Sequence, residues 1–140
     1  MRTLTSTETR VGDDNRSMMY FEIDEFASPD CPGSGDRMML STLRMLDEAR
    51  GIASVPFVIE SGYRTADHNR AVGGVVESAH LGGWAVDIKY TSEAMAVRII
   101  AALTEAGFRR IGKGKTFIHA DNDPHKMAAY WDYWQADHVA

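Results

Sequence analysis

A single cysteine, Cys31, among 140 residues excludes an internal disulfide and any multi-thiolate metal site, so a bound metal would have to sit on His, Asp or Glu. Positive charge is also in short supply. Fifteen Lys and Arg against twenty Asp and Glu leave a net charge of −5, the wrong sign for gripping phosphate backbones or anionic lipid. Nucleic acid and membrane surfaces are therefore not expected partners. No apolar run approaches the ~20 residues of a membrane span; the greasiest stretch, Ala94 to Leu103, is interrupted by Arg98. The N-terminal MRTLTSTETRVGDDNRSMMY lacks the apolar run of a signal peptide, which predicts a protein made in the cytoplasm without Sec export. Repeats, low-complexity tracts and a Gly-rich phosphate loop are all missing. What is present is ordinary globular usage, 44% hydrophobic and 25% charged, at a length suited to one core.

The pattern predicts a weakly ordered lead-in over residues 1–19 and one domain over residues 20–140, expected to be monomeric. Tyr20 to Phe26 reads as a short strand, and Ser28 to Gly35 as a turn-rich loop. Asp36 is placed to cap a helix with Met39, Leu43, Leu46 and Ala49 on one face and Gly51 just past its end. Pro56 to Ile59 reads as a buried strand, and Thr65 to Val72 as a short helix closed by Gly73 and Gly74. Trp84 to Tyr90 alternates, which puts Asp87 opposite the bulky apolar face of Trp84, Val86 and Ile88. Thr91 or Ser92 caps a second helix ending at Ala106 before Gly107, and Thr116 to Asp121 and Tyr130 to Trp134 read as further strands. Helices between separated strands, without βαβ rhythm, predict an α+β fold.

Three residues could hold a metal. His80 precedes the Gly82-Gly83 reversal, Asp87 lies on the polar face of the next strand, and His119 shares a strand face with Asp121. Two imidazoles and one carboxylate suit Zn²⁺ and leave a fourth position for water, as in catalytic sites. Spacing alone favours a plainer account, with a loop histidine, a solvated aspartate and a core histidine.

The motif set adds to this. Ser61-Gly62-Tyr63-Arg64-Thr65, Ser78-x-His80-x-x-Gly83-x-Ala85-x-Asp87-Ile88 and Phe117-Ile118-His119-x-Asp121 together resemble the zinc D-Ala-D-Ala peptidase family, which shares a fold group with lysostaphin-type enzymes and the hedgehog signalling domain. The likeness runs from about Phe21 to about Tyr133. It implies a small, mainly antiparallel sheet with helices on one side, and zinc on His80, Asp87 and His119. It further implies Arg64 beside the metal, facing the scissile carbonyl oxygen or a substrate carboxylate. Ser78 becomes a substrate-contacting or metal-supporting hydroxyl, or else a hydroxyl that bonds its own turn. The implied activity is hydrolysis of peptidoglycan stem peptides, as a D,D-carboxypeptidase or endopeptidase. Without an export signal, that fits an endolysin-like phage or prophage protein released by lysis, a holin or a particle. A zinc-stabilised binding or assembly module without turnover is the alternative.

Two departures from the family pattern matter. The general base expected three residues before the last zinc histidine is replaced by Thr116, and the second histidine that some members carry two residues before it is replaced by Phe117. Asp121 is then the nearest acid. It is expected either to serve as catalytic base or to orient His119 through its other ring nitrogen. His68, His125 and His138 are expected to have no metal role.

Overall fold

Eight regular elements build the chain in this computed structural model, which describes residues 9–12 and 18–133. They are α1 (Leu40–Ala53), β1 (Val58–Ser61), α2 (Ala66–Ala71), β2 (Ala85–Lys89), α3 (Glu93–Ala106), β3 (Arg110–Lys113), β4 (Phe117–Asp121) and β5 (Ala129–Asp132). The strands form one open sheet in the order β1-β2-β4-β3-β5, antiparallel throughout except for the β3–β5 pair. This is the α+β architecture that the pattern predicts.

Strand alternation gives the sheet two unlike faces. Val86 and Ile88 of β2, Ile111 of β3 and Ile118 and Ala120 of β4 join Leu43, Leu46 and Ala49 of α1 and Ile99, Ala102 and Leu103 of α3 in one buried core. Each fully buried Leu or Ile there contributes ~1.5–3 kcal/mol relative to exposure. The intervening residues Asp87 and His119 point to the other face, opposite each other across the β2–β4 ladder. No helix among the described residues is long and apolar enough to cross a membrane.

Local chemistry decides where the elements end. The Ser92 side chain accepts a hydrogen bond from Met95 N and starts α3, and Gly107, with φ +113°, stops it. Thr65 caps α2 by accepting from His68 N. Other boundaries differ from expectation. Tyr20 to Phe26 is not a strand: Ile23–Phe26 is a 3-10 turn, with the Glu22 N–H bonded to Glu25 Oε2 at 2.7 Å. Asp36 does not cap α1, because it lies in the 3-10 turn Ser34–Arg37 and Met39 is drawn out straight by donating to Gly83 O. Gly51 lies inside α1, which continues to the buried Ala53 and ends on Ser54 in the left-handed conformation. β1 is an edge strand, not a buried one, with Val58 52% exposed. Of the lead-in, residues 9–12 lie against the domain: Arg10 bridges Met39, and Val11 is buried and donates to Met38 O. Residues 1–8, 13–17 and 134–140, including Trp134 and His138, lie outside the described residues.

Candidate metal centre

His80 reaches the polar face of the sheet from a 3-10 turn, Ala79–Gly82. Ser78 Oγ accepts from His80 N and opens that turn, while Gly83, at φ +78°, closes it with its N–H on the carbonyls of Ala79 and His80. Arg64 N also donates to His80 O, so the loop before α2 and the His80 turn are tied together. The imidazole is 0% exposed. Its Nδ1 lies 2.7 Å from Gly62 O. A carbonyl can only accept, so Nδ1 carries the proton and Nε2 the lone pair.

That lone pair is the decisive atom. His80 Nε2 is buried without a hydrogen-bond partner, although Asp87 Oδ1 is 3.3 Å away. In this tautomer the approach is acceptor to acceptor, which repels unless a cation lies between. His119 is held from behind in the same way, but its near nitrogen is paired with Asp87. Its Nε2 donates to Asp121 Oδ2 at 2.7 Å, and its Nδ1 faces Asp87 Oδ1 at 2.9 Å. His80 Nε2, Asp87 Oδ1 and His119 Nδ1 thus converge, and the ligand atoms of the three buried residues lie within 4.8 Å of one another. Among the described residues this is the cluster able to hold a metal ion. The donor set fits zinc: two imidazoles, each with its far nitrogen fixed by an oxygen, and one carboxylate.

The supports run outward. Asp87 Oδ2 accepts from Arg64 Nη2 at 3.1 Å, which leaves Oδ1 for the histidines. Arg64 is 2% exposed and also donates through Nε to Ser61 Oγ and through Nη1 to Asn69 Oδ1. Asp121 Oδ1 accepts from Arg110 Nε at 2.8 Å and from Asp123 N at 3.2 Å. The structure therefore brings together His80, Asp87, His119, Arg64 and Asp121, and puts the Ser78 hydroxyl on the backbone of the His80 turn. Thr116 is exposed and offers no acid, and His125 bonds Asp123 instead of the cluster. Motif reading missed Gly62 as the carbonyl that sets the His80 tautomer and Asn69 as a partner of Arg64. The position of Gly62 inside the Ser-Gly-Tyr-Arg-Thr segment was the available signal.

The charges are strongly interdependent. Burial pushes the Asp87 carboxyl up, but the bond from the protonated His119 and the ion pair with Arg64 favour the anion, and the group is held far below the usual carboxylate range. Burial lowers His80, with Asp87 opposing, so its imidazole is neutral as a ligand must be. Burial would lower His119 as well, yet its bonds to Asp121 and Asp87 raise it above an ordinary histidine. In the metal-free protein the protonated His119 therefore stabilises the fold at low pH, and this contribution is lost as pH rises through the raised value. Metal capture at Nδ1 must displace that proton. Zinc affinity, measured by competition with a chelating dye, is expected to climb with pH across the imidazole range of about 5 to 8. A flat profile would exclude His119 as a ligand.

A family model described as Peptidase M15 matches residues 5–121, a span that takes in all three motif segments. No curated protein matches the chain. With the match covering most of the sequence and a buried His-Asp-His cluster on the sheet face opposite the helical core, this chain belongs to the Peptidase M15 family.

Proposed function

We propose that this protein is a zinc metallopeptidase that hydrolyses peptide bonds in peptidoglycan stem peptides, as a D,D-carboxypeptidase or an endopeptidase, with the metal on His80, Asp87 and His119. The observation that carries the reading is the unpartnered lone pair of His80 Nε2, fully buried and aimed at the oxygen of Asp87. Zinc, when bound, supplies a Lewis acid that lowers the pKa of a water ligand toward ~7 and polarises a carbonyl.

The side chains divide the remaining work. Gly62 O and Asp121 hold the two imidazoles in the tautomers that present His80 Nε2 and His119 Nδ1. Arg64 locks Asp87 through Oδ2, and in keeping with the family resemblance its guanidinium is assigned to the scissile carbonyl oxygen. Ser78 holds the His80 turn, the backbone role among those its sequence allowed.

The test is incubation of the zinc-loaded protein with intact sacculi and defined stem peptides, followed by mass spectrometry. Released D-Ala marks the carboxypeptidase, and new internal amines mark the endopeptidase. One observation favours a second reading, a zinc-stabilised binding module: the exposed Thr116 stands where the family keeps its acid. Stoichiometric zinc with no product from any stem peptide would select that reading.

A further inference from the structure

The strand that carries glycine beside the metal cluster is β3. In the row Asp87–His119–Gly112–Trp131, read across β2, β4, β3 and β5, Gly112 stands between the ligand histidine and a tryptophan. One step along the same face, Gly114 donates its N–H to Phe117 O, and Tyr133 N donates to Lys113 O on the other side. A Cβ on Gly112 would lie 2.5 Å from the Trp131 indole, and one on Gly114 would overlap the Phe117 ring. The two glycines thus form a furrow into which the aromatic rings of the flanking strands fold.

The rings form a connected wall beside His119. Trp131 lies 5.5 Å from His119 and 6.0 Å edge-on to Tyr133, and Tyr133 lies 5.4 Å from Phe117. The Trp131 side chain hydrogen-bonds the Tyr133 hydroxyl, and an indole N–H can only donate, so the phenol oxygen is fixed as the acceptor. Trp131 pairs with Gly112, the glycine opposite His119, and Tyr133, two residues on, shares its face, so the phenol ring stands on the metal side of the sheet. Burial pushes this phenol up to about 12, so it keeps its proton throughout the neutral range. Phe117, where some relatives carry a histidine, has no donor of its own and packs against the ring that has one.

We propose that Tyr133 is a catalytic residue, whose phenolic O–H donates to the scissile carbonyl oxygen as that oxygen gains negative charge, with Trp131 as the positioning residue that fixes the phenol. The inference rests on the peptidase reading above. A preorganised donor of this kind is worth about 10²–10³ in kcat, because it strengthens only as charge develops.

The experiment compares zinc-loaded wild type, Tyr133→Phe and Trp131→Phe in two assays: turnover of the best stem peptide, and calorimetric affinity for a phosphinate analogue that mimics the tetrahedral oxygens. Tyr133→Phe is expected to lose about 100-fold in kcat with KM within about twofold, and a similar factor in phosphinate affinity. Zinc content and thermal midpoint should match wild type. Trp131→Phe, which keeps an aromatic ring but removes the N–H, should lose kcat in the same direction by a smaller factor. Wild-type kcat and phosphinate affinity in Tyr133→Phe would overturn the proposal, as would a raised KM at unchanged kcat. If Tyr133→Phe loses zinc, Trp131→Phe decides: unchanged kcat there overturns the proposal. A wild-type protein that cleaves no stem peptide overturns the peptidase reading itself, and one that also fails to bind the phosphinate overturns both.

Discussion

Alanine at His80, Asp87 or His119 is expected to strip the protein of zinc and abolish turnover. Three protein ligands are the minimum of a catalytic zinc site, and removal of any one leaves two. The three losses should differ in what they do to the fold. His80→Ala removes an imidazole that is fully buried, and its cavity is bounded by Gly62 O, whose hydrogen bond is lost with it. Asp87→Ala is the harshest change, because it leaves the Arg64 guanidinium buried without its carboxylate. Breaking one side of a buried ion pair costs about 3–5 kcal/mol. Asp87→Asn keeps the shape and removes the charge, so it separates loss of metal from loss of fold. His119→Ala frees both Asp87 Oδ1 and Asp121 Oδ2 from their shared partner, and the metal-free stability that the protonated His119 gives at low pH should disappear with it. Zinc measured by elemental mass spectrometry after dialysis, beside circular dichroism of the same samples, resolves these cases. Full occupancy in all three single mutants would remove the assignment.

The metal cluster was legible because its geometry is mostly local. The alternation of Trp84 to Tyr90 fixes the face of Asp87, the β4 alternation fixes that of His119, and the two glycines after His80 permit the turn that carries it. The caps of α2 and α3 were legible for the same reason: Thr65 and Ser92 act within their own first turn. What escaped the sequence depends on distant partners. α1 begins late because Met39 is claimed by Gly83 and by a bridge to Arg10, neither of which a window around Asp36 contains. β3 was not seen as a strand at all, since Arg110–Lys113 holds Ile111 as its one branched residue and is followed by Gly114. Glycine weakens a strand unless something must come close, and here it is the indole of Trp131 that does. The turn at Ile23–Phe26 was hidden by an apolar spacing that also suits a strand, and the Glu22–Glu25 bond decided it.

Asp121→Asn is expected to weaken zinc binding by about 10–100-fold, with activity restored when zinc is supplied in excess. Sequence spacing left the residue two roles, catalytic base or support of His119, and the bond lengths favour support. Asp121 Oδ2 is 2.7 Å from His119 Nε2, the ring nitrogen on the far side from the one that faces Asp87, so the carboxylate lies behind the ligand. Its other oxygen accepts from Arg110 and from the backbone of Asp123, and the whole residue is buried. Burial raises the carboxyl, while His119 and Arg110 lower it further, below the ordinary value of an aspartate. A base of that kind holds a proton weakly at neutral pH, whereas a permanent anion is what an imidazole N–H needs behind it. Asparagine preserves the shape and an acceptor oxygen but not the charge, so His119 should become a poorer ligand without the site collapsing. A base role makes the opposite prediction: zinc retained, turnover down by roughly a hundredfold or more, and no rescue by added metal. The base would then need no further search. With support as the outcome, Glu60 is the carboxylate to replace next by glutamine. It is an exposed residue at the irregularity in β1 between Ile59 and Ser61, beside the Ser61–Asp87 pairing, and partial desolvation together with the charge of Asp87 raises its carboxyl above the ordinary glutamate value.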